Sequence, residues 1–422
     1  LGAALDQPPW WPAAGEVEGS VSVAAEAGEL TRVAGDLGAR ELQLPAAAAL
    51  ADLEAAADVA APSYRRLGAS FDWNRAPTGW ELGLTDLEVA RGGRRWESPS
   101  AGLAVRQEGD LRRVLLEADL LQLEDLLPGL RWVPAETAAT VLALAPAGRL
   151  RDLDLRLAWP EEGGMPEFSV ASTFEGLAVQ PVGPWPGGEN LSGYLAGNQD
   201  TGSGQLDSSE ASLAFPRHFR APIVLDTATG LLEWRRDETA LLLSVENLRA
   251  GNPDADISGR AQLRLPAGDA SPWLEIEATA RDVTAAAAPK YLPIGRLPEQ
   301  VVAWLDRAMR AGRVPEARFQ FEGETRAFPF RADEGLFRVE FDWEEGELDY
   351  SPGWPAATAL SAAVRFENEG LFAEVRQADL AGVAAGPVTV AIPDLAKGEL
   401  SVQGRAAGDL ADLRQFVLGA DL

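Results

Sequence analysis

Polar and apolar positions alternate along most of this chain, and at a few places the period lengthens to that of a helix. Tyr291–Gly323 holds both periods in succession. Val301, Trp304, Leu305, Ala308 and Met309 fall on one helical face. Pro298 suits the first turn, where its missing N–H is not needed. Glu299 and Arg310 complement the helix dipole, and Gly312 fits the stop. The spacing therefore predicts a helix over 297–311. After it Ala317, Phe319 and Phe321 alternate with Glu316, Arg318, Gln320 and Glu322, which is the pattern of a half-buried strand.

The same alternation marks Val17–Leu44, Ser70–Trp73, Trp80–Val89, Ala101–Arg106, Arg113–Leu123, Leu241–Val245, Leu274–Thr279 and Leu336–Trp343. In the last, Phe337, Val339, Phe341 and Trp343 face one way, and Arg338, Glu340 and Asp342 the other. One wet and one apolar face is the signature of antiparallel sheet. Alanine-rich Ala46–Ala61 reads as a helix, and Gly187–Glu210, with its TGSGQLDSSE run, as a connecting loop.

Leu130–Trp159 repeats the helix-then-strand pattern in weaker form. A shift of 164 sets Pro298 on Pro134, Gly312 on Gly148, and Ala317, Phe319 and Phe321 on Leu153, Leu155 and Leu157. Pro146 ends this second helix early, giving about 134–145. A shift of 169 sets Phe337, Val339 and Trp354 on Phe168, Val170 and Trp185, while Trp73 to Trp234 and Asp86 to Asn247 both span 161. The sequence thus reads as roughly two and a half long β units, too long for a short solenoid repeat. The expected segments are 1–125, 126–289 with the 134–145 helix, and 290–422 with the 297–311 helix.

Charge narrows the partners. The 65 acids against 37 bases leave a net charge of −28, which repels phosphate backbones and argues against nucleic acid. With no cysteine and one histidine, His218, disulfides, thiolate sites and multi-histidine metal sites are excluded. No P-loop, GxSxG or HExxH motif occurs, so neither catalysis nor a cofactor is expected. Acid pairs such as Glu124-Asp125, Glu161-Glu162 and Glu344-Glu345 read as solvated turns or strand ends. The Asp254–Gly259 run imitates a calcium loop but has Leu265 where the bidentate glutamate belongs. Asp306 and Arg310 are spaced for a helical ion pair. No apolar run is long enough to cross a bilayer. The start at Leu1, with no signal-like segment, reads as a piece of something longer.

What remains is distributed: many strands with an apolar face and few helices to cover it. Two sheets packed as a sandwich satisfy that pattern, and so does an open trough whose apolar lining is covered by another molecule. The clearest positions on that face are Phe319, Phe321, Phe337, Val339, Phe341, Leu153, Leu155, Leu157, Leu241, Leu243 and Val245.

LPIGRLPEQVVAWLDRAMRAGRV, FPFRADEGLFRVEF (Phe328–Phe341) and VRFENEGLF (Val364–Phe372) resemble the central region of the AsmA-like envelope proteins of the YhdP type, most specifically over about Pro289–Phe372. The resemblance implies a mainly β fold, an elongated, curved and twisted antiparallel sheet forming an apolar groove with a few short capping helices. It further implies a periplasmic section of a phospholipid conduit between inner and outer membranes. Its membrane anchor would lie outside this stretch, acyl chains would bind along the eleven positions named above, and membranes would be reached through parts beyond it. The alternative is a non-enzymatic scaffold of the cell envelope that binds protein partners.

Overall fold

The computed structural model describes residues 11–47, 57–160, 167–183, 185–291, 294 and 299–419. It divides into two compact units, one of Leu1–Gly183 with Gly187–Gly204, the other of Pro184–Pro186 with Gln205–Leu422. The fold is mainly β, and within each unit the sheet is antiparallel and open.

In the first unit the strands are β1 (Ala14–Glu26), β2 (Glu29–Gln43), β3 (Ser63–Ala76), β4 (Gly79–Arg91), β5 (Arg94–Arg95), β6 (Ala101–Glu108), β7 (Leu111–Gln122), β8 (Ala147–Pro160), β9 (Glu167–Val179) and β10 (Gly187–Asn198). They form a meander, each long strand pairing antiparallel with the next, while the short β5 folds back on the end of β4. The tight turns follow from local chemistry. Ala27-Gly28 joins β1 to β2 with both residues at positive φ, 51° and 83°, the geometry that matches strand twist.

β11 (Thr201–Ala214) runs across the division between the units. The second unit continues with β12 (Ile223–Arg236), β13 (Ala240–Asn252), β14 (Ala255–Pro266), β15 (Trp273–Thr284), β16 (Met309–Glu324), β17 (Leu336–Leu348), β18 (Ala357–Glu367), β19 (Gly370–Leu380), β20 (Val383–Ile392) and β21 (Ser401–Ala407). From β12 to β21 this too is an antiparallel meander.

In each unit the helices interrupt the meander at one edge of the sheet. They follow β2 and β7 in the first unit, and β15 and β21 in the second. Strand residues in the left-handed region fall toward that same edge: Asp86, Asp152, Gly176 and Asn190 in the first unit, Asn247, Asp282, Glu345 and Ala359 in the second. Pairing slips beside several of them, at Arg151/Asp154, Val245/Leu248 and Trp343/Gly346. These are β-bulges, and each bends its strand and increases the local twist. They recur at the offsets read from the sequence: Asp86 and Asn247 both have φ 52°, Gly148 and Gly312 have 113° and 109°, and Gly176 and Glu345 have 58° and 51°.

Several expectations need correction. The helix expected over 297–311 spans Glu299–Ala308 among the described residues, and Met309 already opens β16; Leu297 and Pro298 lie outside the described residues. Gly312 is therefore not a helix stop. It sits in β16, where glycine is required twice over: φ is 109°, and a Cβ would collide with the Trp343 indole. The 134–145 helix is present as Ala135–Leu144, closed by Ala145 at φ 42° with its N–H on Val141 and Leu142 carbonyls. Gly187–Glu210 is not a loop but β10 and much of β11. Polar and small residues hold the strand conformation in β10 because β9 supplies antiparallel pairing along it. Of Ala46–Ala61, only Ala57–Ala60 is helical within the described residues, and 48–56 lie outside them.

Candidate functional site

Residues directly opposite in an antiparallel pair point to the same face, so the register shows which side chains share a surface. In the first unit one row runs Val23–Val33–Trp73–Leu82–Leu103–Leu116–Leu155–Val170, from β1 to β9. Beside it run Val21–Gly35–Phe71–Leu84–Ala101–Ala118–Leu153 and Trp80–Val105–Val114–Leu157–Phe168. The face is apolar across the unit.

The second unit repeats this. Leu232–Val245–Ala261–Ile276–Phe321–Phe337 form one row, and Ala278–Phe319–Val339–Phe366–Leu371–Ile392 a second. A third is Ala280–Ala317–Phe341–Val364–Ala373–Val390–Val402. Leu243 pairs with Trp234 and Leu263, and Leu241 with Leu265, on the same side. All eleven sequence-selected positions thus lie on apolar faces: Leu153, Leu155 and Leu157 in the first unit, the other eight in the second.

Within each unit, among the described residues, no second sheet covers these faces. Only 28 apolar side chains are buried among the described residues, and 13 of them are alanine. The chain exposes 25,091 Å², whereas two wholly separate compact globules sharing its mass would expose about 19,000 Å². Val23 remains 62% exposed, Leu232 40% and Val402 59%. β1 and β21 are exposed along their whole length, so the sharper sign lies inside the first unit, where none of the eight residues from Val23 to Val170 is buried.

Coverage is nevertheless uneven. Near the helix-bearing edge of the second unit, Trp343, Val314, Leu360 and several alanines form a true core against which Phe341 and Val364 pack. At the opposite edge the β16–β17 connection folds back over the sheet. Phe328 stacks on Phe321 at 6.1 Å and meets Phe337 edge-on at 5.4 Å, and Phe330 lies fully buried against Phe321 at 5.3 Å. A Cβ on Gly323 or Gly335 would strike the Phe330 ring, so both glycines are needed for its seat. Phe321 and Phe337 are therefore partly covered by their own chain. Leu153, too, is buried.

The other face is ionic. Arg260 donates to Glu277 at 3.1 Å and Glu275 at 3.3 Å, Arg338 to Glu367 at 2.8 Å, and Arg32 to Asp72 at 3.0 Å. The hydrogen bonds from Arg260 and Arg32 hold the Glu277 and Asp72 carboxyls below the usual carboxylate range. Shallow cavities on this side are lined by arginine and glutamate, as beside Arg260, Arg318 and Arg338. Charged side chains make up much of this lining.

Two ionic knots tie connections to the helix-bearing edge, and sequence reading missed both. Asp125, expected in a solvated turn, is buried. It accepts from Arg94 at 2.6 Å, Trp96 at 3.0 Å and Arg91 at 3.4 Å. Its neighbour Glu124 accepts from the Gly148 N–H at 3.0 Å. Asp254 accepts from Lys290 at 2.7 Å and Tyr291 at 2.8 Å, so the supposed calcium-loop acid is occupied by a lysine. Asp306 pairs with Arg220, not with Arg310, which turns instead to Asp349. Glu344, another presumed strand-end acid, binds Arg313 at 2.7 Å, and Glu161-Glu162 lies outside the described residues. His218 sits in the turn after Phe215, its N–H on the Phe215 carbonyl at 2.8 Å. Among the described residues no group of three or more acids, histidines or cysteines is arranged to hold a metal.

The selection also left out most of the first-unit face. Val33, Trp73, Leu82, Leu103 and Leu116 carry the alternation signal in WELGL and its neighbours, but only pairing shows that they align.

Each unit is thus an open antiparallel sheet with one apolar face, one ionic face and short helices along an edge. The chain belongs to the YhdP family, whose model matches residues 4–422, well beyond the stretch of clearest resemblance. It is 25% identical over 356 residues to the intermembrane phospholipid transporter YhdP of Escherichia coli (strain K12), an alignment covering 80% of this chain and 28% of that protein. The chain thus spans little more than a quarter of that relative's length. No solved structure matches it significantly. No helix among the described residues is long and apolar enough to cross a membrane.

Proposed function

We propose that this chain is a non-enzymatic, periplasmic section of a phospholipid conduit, in which acyl chains lie on the apolar faces while head groups stay at the wet margin. The observation that carries this reading is the uncovered row from Val23 to Val170, eight strands long in register. Burial at ~25 cal/mol per Å² holds a chain without a pocket, and a smooth lining lets it slide. The relative's role as an intermembrane phospholipid transporter supports the substrate class. On this reading the segments 1–125, 126–289 and 290–422 are successive groove repeats. The two membranes are reached through parts beyond this stretch, including an inner-membrane anchor.

The test is native mass spectrometry of the purified chain, combined with photo-crosslinkers placed at Leu155 and Leu232 on the apolar faces and at Glu277 on the ionic face. The reading expects co-purified phospholipid and crosslinks from Leu155 and Leu232 but not Glu277. Protein crosslinks at the apolar positions, with no lipid recovered, would establish the scaffold instead.

A further inference from the structure

Residues 325–335 join β16 to β17 at the edge opposite the helices, where Asn368 and Glu369 alone suffice to join β18 to β19. The longer connection is held down along its length. Its Phe328 stacks on Phe321 and meets Phe337 and Phe330 edge-on, at 6.1, 5.4 and 6.0 Å. Phe330 is fully buried, whereas Phe328 and Pro329 are half-buried. Polar ties fix both flanks. The Thr325 N–H donates to the Pro272 carbonyl at 2.9 Å and Arg326 to the Asp269 carbonyl at 2.6 Å. On the other side Arg331 reaches the buried Asp394 at 3.1 Å. The connection is thus a strap, bound to the β14–β15 and β20–β21 connections as well as to the sheet.

The strap changes what the three apolar rows of the second unit can hold. The row that begins at Leu232 and passes Ile276 reaches Phe321 and Phe337 beneath the Phe328 and Phe330 rings. Apolar area that a ring already shields from water gains nothing when a second apolar group approaches. That row is therefore open from β12 to β15 and taken at β16 and β17. The next row, through Phe319 and Val339, stays half-buried until Leu371, which is buried in β19. The third, from Ala280 through Phe341 to Val402, contains no buried residue. Uncovered apolar area thus moves toward the helix-bearing edge along the unit.

We propose that the strap guides lipid tails: Phe328 occupies the row of Phe321 and Phe337 in their place, and confines tails at β16 and β17 to the rows through Val339 and Phe341. A ring offers these side chains the same apolar contact as a tail. Being tethered on both sides, it is present at an effective concentration that a free tail does not match. A tail moving along the Leu232 row is therefore turned aside at β16. The inference rests on the lipid-binding reading and adds to it the path that tails take in this unit, with Phe328 as the positioning residue.

The test loads the full 422-residue chain with phosphatidylglycerol carrying a diazirine in one tail, irradiates it, and maps the labelled residues by peptide mass spectrometry. In wild type, label is expected at Leu232, Val339 and Phe341, with Phe321 and Phe337 spared. In Phe328→Ala, whose strap keeps Phe330, Arg326 and Arg331, label should shift onto Phe321 and Phe337. Phe328→Leu, which keeps an apolar cover, should restore the wild-type pattern. A strap that served the fold alone would lower the melting temperature of Phe328→Ala and leave the labelling pattern where it was, which would overturn the proposal. So would wild-type label at Phe321 or Phe337 equal to that at Val339, or none at Val339, and this comparison needs no variant to fold. In either case label at Leu232 would leave the lipid reading intact. If no apolar position of the wild-type chain is labelled, the lipid reading fails and takes this proposal with it.

Discussion

Arg220 places one guanidinium nitrogen 2.7 Å from each carboxylate oxygen of Asp306, joining the turn before β12 to the helix before β16 across 86 residues of sequence. Both side chains are about a third exposed, so solvent screens much of the attraction. Arg220→Met is expected to lower stability by about 0.5–1 kcal/mol. A double-mutant cycle with Asp306→Asn should show coupling that shrinks in high salt. Zero coupling in low salt would mean that the contact contributes nothing.

Trp343 and Gly312 form a tighter pair. The Trp343 indole is buried and donates to the Ala311 carbonyl at 3.2 Å, in the space a side chain on Gly312 would need. Trp343→Ala should cost about 3–5 kcal/mol through the cavity it leaves. Gly312→Ala should also destabilise, through both strain at φ 109° and collision with the ring. Urea denaturation of both variants measures this, and a wild-type midpoint for Gly312→Ala would refute the collision.

Removing the Asp125 carboxylate takes away the charged contact of buried Arg91 and the acceptor shared by Arg94 and Trp96. Asp125→Ala is expected to cost about 3–5 kcal/mol, far more than alanine at the exposed Glu81–Arg106 pair. Thermal melts of the two variants under one buffer make the comparison, and similar shifts would show that burial adds nothing here.

The Asp254 knot gives a pH dependence with a definite sign. The hydrogen bond from Lys290, aided by that from Tyr291, holds the Asp254 carboxyl below its ordinary value against the opposing effect of burial. A lowered folded value stabilises above the unfolded pKa, about 3.9, and that contribution disappears as pH falls through the folded value. The Lys290 ammonium is correspondingly raised, so its contribution disappears only in strong alkali. Asp254→Asn should therefore be less stable than wild type at pH 7, with the gap closing below about pH 4. A gap unchanged from pH 7 to pH 3 would exclude the charged contact as its source.

Charged substitutions on the apolar face separate lining from core. Leu232 is 40% exposed beside Val245, so Leu232→Asp should change stability by no more than about 1 kcal/mol while reducing co-purified lipid. Phe341 packs against the Trp343 cluster, so Phe341→Asp should destabilise by about 2–4 kcal/mol. Calorimetric melts and lipid extraction on the same preparations read both effects. Comparable destabilisation at the two positions would mean that Leu232 is covered after all.

The alternation of Phe337, Val339, Phe341 and Trp343 with Arg338, Glu340 and Asp342 was enough to determine a two-faced antiparallel strand, because side-chain direction in a strand depends only on residue parity. The helix face of Val301, Trp304, Leu305 and Ala308 was equally local, and so were the offsets of 161 to 169 residues that the left-handed bulges repeat. Pairing partners are not local. Whether Leu155 stands beside Leu116 or an arginine depends on register, and one slipped residue would turn every side chain over. The same holds for charge. Glu124-Asp125 looks like a wet turn until β4 and β5 bring Arg91 and Arg94 onto it, and Asp306 looks paired within its helix until Arg220 arrives. Strand phase was therefore legible in the sequence. Which apolar residues stay uncovered, and which ions are buried, depended on contacts between segments tens of residues apart, and only the tertiary structure decided them.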